Sequence, residues 1–97
     1  MQKFRDVDPR ELRFPSSRRF VDAGKFARQL SRYGRSLQGM PTLEVEEASD
    51  GVLVVVDGVT RATRAAKMAP GQLVRVEIIA YRKQPAAGDP KIGDHLP

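Results

Sequence analysis

Cysteine is absent from the sequence. Its absence removes disulfide staples, thiolate nucleophiles and cysteine-based zinc sites together, and fits a reducing cytoplasm. Histidine occurs once, as His95 in a proline-flanked stretch near the C-terminus, which is poor material for a metal centre or a histidine acid/base pair. Long apolar runs are missing too. The longest, Val52 to Val56, spans five residues, against the ~20 needed to cross a bilayer, and the N-terminus lacks the apolar core of a secretory signal. With 97 residues there is room for one small core rather than two. The expectation is a single cytoplasmic domain with no membrane partner.

Positive charge is what the chain has in excess. The net charge is +5, and twelve arginines outnumber five lysines. The excess is N-terminal: residues 1–40 hold ten Lys and Arg against four Asp and Glu. Arginine's planar fork suits bidentate contact with phosphate or carboxylate better than a lysine point charge does. Polyanions are natural partners for such a chain, and a solvated basic surface is the plain alternative.

Local patterns divide the chain into an arm and alternating elements. Asp8-Pro9 and Phe14-Pro15-Ser16-Ser17 break any helix in the first twenty residues. Glu11-Leu12-Arg13-Phe14 alternates polar and apolar, as a short half-buried edge strand would. Asp22 stands where an N-cap belongs, Phe26, Leu30 and Tyr33 follow at helical spacing, and Gly34 is a stop, which predicts a helix over 23–33. Its apolar stripe, Phe26 and Tyr33 included, is expected in the core, with stacking of Phe20, Phe26 or Tyr33 on a base as the rival reading. The other side carries Lys25, Arg28 and Arg32, with Arg35 just beyond the end. This basic stripe is either a solvated face or a nucleic-acid-binding one.

Leu43-Glu44-Val45-Glu46 has the period of a strand with one wet face, so Glu44, Glu46 and their neighbour Glu47 read as surface carboxylates rather than a metal site. Ser49-Asp50-Gly51 supplies a turn into Val52 to Val56, predicting a hairpin whose second strand is central and covered on both faces. A helix over 59–69 follows, with Ala62, Ala65, Ala66 and Ala69 forming a packed face of methyl groups and Pro70-Gly71 ending it. Val74 to Ile79 is a further strand reached through this helical crossover. The resulting fold class is α+β, a small mixed sheet with helices packed on it, over residues 1–83. Pro, Gly, Ala and Asp dominate 84–97, where an extended or mobile tail is expected.

The stretch most suggestive of chemistry is the junction between the apolar strand and the second helix. A helix start presents unpaired backbone N–H groups and partial positive charge, and Gly58 has no side chain to hold a ligand away. Thr60 adds a hydroxyl, and Arg61 and Arg64, three residues apart, are expected to reach one phosphate group or chain. Lys67 continues that edge. Asp57, at the strand end, either caps the helix or holds a magnesium-bound water beside a phosphate.

These residues, from about 20 to 79, resemble the N-terminal domain of the ParB partition proteins and their relatives in the ParB/sulfiredoxin-like superfamily, some of them labelled nuclease-like. The resemblance rests on Tyr33-Gly34 at the helix end, the strand at Leu43 to Glu46, Asp50-Gly51, the run Asp57-Gly58-Val59-Thr60-Arg61, Ala65-Ala66 and the strand Val74 to Ile79. It implies that the Gly-x-x-Arg segment at Gly58 and Arg61 receives the phosphates of a nucleoside triphosphate, CTP or ATP with magnesium. The chain departs from the family in having Val59 and Thr60 where partition proteins carry a charged residue and a second arginine. It lacks the sulfiredoxin cysteine, so that reductase chemistry is excluded, and sequence-specific operator binding of the partition type, which uses a downstream helix-turn-helix, is not expected.

The expected function is phosphate binding, of a nucleotide or nucleic acid, through Gly58, Thr60, Arg61 and Arg64, with Lys25, Arg28, Arg32 and Arg35 as the nucleic-acid-facing stripe and as one wall of the same cleft. A nucleotide hydrolase or nuclease is the enzymatic alternative, resting on Asp57 and Arg61. A module that keeps the fold, has lost the ligand and binds a protein partner is the third.

Overall fold

The computed structural model of the chain describes residues 2–15 and 21–97. Phe20, Arg18 and Arg19 lie outside the described residues. Four strands, β1 (Phe4–Val7), β2 (Leu43–Glu47), β3 (Leu53–Asp57) and β4 (Val74–Tyr81), form one sheet in the order β1-β4-β2-β3. The sheet is mixed. β1 runs antiparallel to β4 and β2 antiparallel to β3, whereas β2 and β4, at the centre, are parallel. Two helices complete the α+β domain, α1 (Ala23–Tyr33) and α2 (Val59–Met68), with short 3-10 turns at Pro9–Glu11 and Ile92–Asp94.

The ends of α1 are set by local chemistry. The Asp22 carboxylate accepts from the Lys25 backbone N–H at 2.9 Å, satisfying a donor the first turn leaves open. At the other end Gly34 adopts a φ of 55°, which an L side chain resists, and its N–H donates to the Leu30 carbonyl. The β2–β3 hairpin and the crossover through α2 also form as the alternation and the alanine spacing predict. Ala62, Ala65 and Ala66 are buried against Leu43, Val45, Val55, Val74 and Val76 in one core. Methyl-sized side chains let the α2 backbone approach the sheet, and α1 packs on α2 in turn.

Three expectations are corrected. The edge strand of the arm lies at Phe4–Val7, not at 11–14. Glu11 to Phe14 instead makes two isolated bridges at Arg13, to Val54 and to Lys91; in the first, the Arg13 N–H donates to the Leu53 carbonyl and the Val55 N–H to the Arg13 carbonyl. Its alternation is nonetheless real, because Leu12 and Phe14 are both buried. The apolar strand β3 is the last in the sheet rather than central. It is covered on both faces over Leu53 to Val55 because Val54 packs under Ala48 and Ala86, on the side away from the main core.

The third correction follows from that cover. Residues 84–97 are irregular but fixed to the domain: Ile92 and Ala86 are fully buried, and the Phe14 N–H donates to the Pro90 carbonyl. Asp50 accepts from the backbone N–H groups of Ala86 and Ala87, and Arg82 pairs with Asp89 at 2.9 Å. The loop-forming composition of this segment dictates its irregular path, but two apolar side chains and a capping carboxylate fix where it lies. Among the described residues no helix is long and apolar enough to cross a membrane.

Candidate functional site: a basic cleft between the two helices

β3 delivers the chain through Asp57 into Gly58, which sits at a φ of 107° as the N-cap of α2. Only glycine fits here. A Cβ at this position would lie 2.6 Å from Leu43 Cδ2 and 2.8 Å from Arg61 Nη2. The Gly58 carbonyl accepts the first helical bond, from the Ala62 N–H at 2.8 Å, and no side chain caps the N–H groups of the first turn. This start therefore differs from that of α1, whose donor is taken by Asp22. Asp57 does not cap α2. Its carboxylate stands 3.5 Å from Arg61 Nη2, an exposed acid beside a mostly buried guanidinium.

The uncapped start opens into a cleft of about 370 Å³. One wall is Gly58, Val59, Thr60 and Arg61. The other is the polar side of α1: Lys25, Arg28, Gln29, Arg32 and Tyr33. The basic stripe of α1 and the start of α2 thus face each other, which neither segment reveals alone. Four cationic side chains line the cleft, and Asp57 is the one carboxylate among its described lining residues. Arg61 Nε is buried without a hydrogen-bond partner among the described residues, and the Thr60 hydroxyl likewise has none, so both are donors left over by the fold.

Two predicted residues fall outside this cleft. Arg35 is exposed past the end of α1 and does not line it. Arg64 turns the other way and is only 1% exposed. Its Nε donates to Gln29 Oε1 at 3.1 Å, and its Nη1 to the carbonyls of Gly34 at 3.2 Å and Ser36 at 2.6 Å. Burial pushes its pKa down from the ordinary value, with the Tyr33 hydroxyl opposing that shift, and an arginine remains charged. Arg64 is therefore a buried tie between α2 and the end of α1, and does not share a phosphate with Arg61 in this arrangement. It lines a smaller neighbouring cavity of about 240 Å³, together with Gln29, Tyr33, Gln38, Gly39, Met40, Pro41 and Arg61.

Tyr33 and Gln29 are the lining residues that the sequence reading did not place here. Phe26 is buried as expected, but Tyr33 is 43% exposed, with the guanidinium carbons of Arg32 and Arg64 at 5.5 and 5.1 Å from its ring centre. Gln29 lies one turn from Lys25 and three residues before Arg32, a spacing that puts it on the basic stripe. His95 is exposed and lies edge-on to Phe14 at 6.1 Å, away from the cleft. Glu44, Glu46 and Glu47 are half-buried strand residues, Glu47 within 3.6 Å of Arg5. No group of three or more His, Asp and Glu side chains that could hold a metal ion occurs among the described residues. No family model, curated protein or solved structure matches the chain.

Proposed function

We propose that the chain binds the phosphate of a nucleotide or nucleic acid in the cleft between α1 and the start of α2. The observation that carries this reading is the convergence of Lys25, Arg28, Arg32 and Arg61 on a helix N-terminus with no side-chain cap. Both features favour an anion, one through charge and the other through directed N–H groups. Gly58 allows the anion to approach the backbone, Thr60 and the first-turn amides donate hydrogen bonds, and Arg61 supplies a fork beside them. Arg64 is left out of the ligand shell. A ParB/sulfiredoxin-like fold belongs to the same proposal, supported by the strand-glycine-helix junction and the crossover into β4. Under it the ligand would be CTP or ATP, whose triphosphate suits the four cations; magnesium would arrive with the nucleotide.

Binding is favoured over turnover because Asp57, the carboxylate beside the helix start, is engaged with Arg61. The test is titration of the isotope-labelled protein with CTP, ATP and short DNA. Displacement of the backbone amide signals of Gly58 to Arg61 by at least one of them, lost in Arg61→Ala, is expected. Unchanged signals with all three would overturn the proposal.

A further inference from the structure

Arg64 and Gln29 carry a consequence for how the cleft recognises its ligand. An arginine Nε–H can only donate, so the Gln29 atom 3.1 Å from Arg64 Nε must be the carbonyl oxygen. The orientation of the Gln29 amide is thereby fixed. Its Nε2, with two N–H donors, is the atom left over, and it has no hydrogen-bond partner among the described residues. Gln29 lines both the main cleft, opposite the start of α2, and the adjoining cavity.

We infer that Gln29 is a ligand-binding residue, a neutral hydrogen-bond donor to an acceptor oxygen of the bound anion, and that Arg64 is the positioning residue that holds it in that orientation. This rests on the phosphate-binding reading of the same cleft. It adds that recognition is not by charge alone. The ligand must offer acceptor oxygens to both walls at once, to the first turn of α2 and to an amide on α1, which suits a chain of phosphates better than a single carboxylate. Arg64 is protected from the ligand by burial, and the same burial makes its hold on Gln29 firm, because a guanidinium withdrawn from water has no solvent to exchange with.

Inorganic triphosphate is the probe, since it contains the acceptor oxygens without a base or sugar. In the isotope-labelled protein it is expected to shift the backbone amides of Gly58 to Arg61 and also the side-chain NH2 signals of Gln29. Gln29→Met is expected to weaken binding by about tenfold. In Arg64→Met the Gln29 NH2 shift should shrink and affinity should fall similarly, while the double variant should bind no more weakly than either single one, since Arg64 acts through Gln29. If the backbone amides shift but the Gln29 NH2 signals do not, and Gln29→Met keeps wild-type affinity, the inference is overturned and the phosphate site stands. If no signal moves at Gly58 to Arg61, the phosphate site falls and this inference with it. Should either variant fail to fold, the wild-type side-chain signals decide.

Discussion

The guanidinium carbon of Arg64 lies 5.1 Å from the centre of the Tyr33 ring, while Nη1 of the same group donates to the Ser36 carbonyl at 2.6 Å. One buried cation on α2 thus holds both the last residue of α1 and the turn that follows it. The wall of the basic cleft is set by this joint, because Arg32 and Gln29 belong to the same last turns of α1.

Arg64 and Arg61 should consequently behave as opposites in unfolding experiments. Arg64→Met removes the donors for two carbonyls and the Gln29 oxygen, and is expected to cost about 1–3 kcal/mol. Arg61→Ala breaks an ion pair with an exposed partner and is expected to cost less than about 1 kcal/mol. Urea denaturation of the two variants checks the order.

Gly58→Ala combines a positive φ with contacts of 2.6 Å to Leu43 and 2.8 Å to Arg61. Gly71, at a φ of 86°, has open space around it. Gly71→Ala should therefore show conformational strain alone, about 1 kcal/mol, and Gly58→Ala distinctly more. Thermal unfolding of both variants measures the difference, and only Gly58→Ala should also disturb the cleft.

The attachment of residues 84–97 should weaken in acid. Desolvation opposes ionisation of Asp50, but the N–H groups of Ala86, Ala87 and Val52 outweigh it and hold the carboxyl below its ordinary 3.8. A group whose pKa is lower in the folded state contributes stability that is present above its unfolded value and lost as pH falls through the folded one. The protection of the Ala86 and Ala87 amides, relative to their intrinsic exchange rate at the same pH, is therefore expected to fall below about pH 4, and to be lost at neutral pH in Asp50→Ala.

Ile92 gives the same segment a packing test. Its side chain is fully buried in the main core, so Ile92→Ala is expected to cost about 2–5 kcal/mol, a large share of the stability of a domain this size. A cost near zero in urea denaturation would mean that the segment does not pack in solution.

Most of the secondary structure was legible because its signals are local. Asp22 and Gly34 bound α1 to the residue, and the alanines at spacings of three and four mark the buried face of α2. The sheet position of β3 was not legible. Five branched apolar residues indicate that a strand is covered, but the cover comes from Arg13 across its edge and Ala86 over its second face, contacts made by segments far away in sequence. For residues 84–97 the converse holds: composition describes backbone preference and makes the irregular path legible, whereas the burial of Ala86 and Ile92 depends on contacts with distant segments.

For the candidate site, the sequence by itself determined the glycine junction, the basic stripe and the absence of cysteine chemistry. Only the tertiary structure decided that the stripe and the junction share one cleft, and that Arg61 faces it while Arg64 does not. Residues three apart on a helix differ by about 60° in direction, so a sequence shows them as neighbours. Where the partner helix lies within that angle determines which arginine meets solvent and which becomes the buried tie.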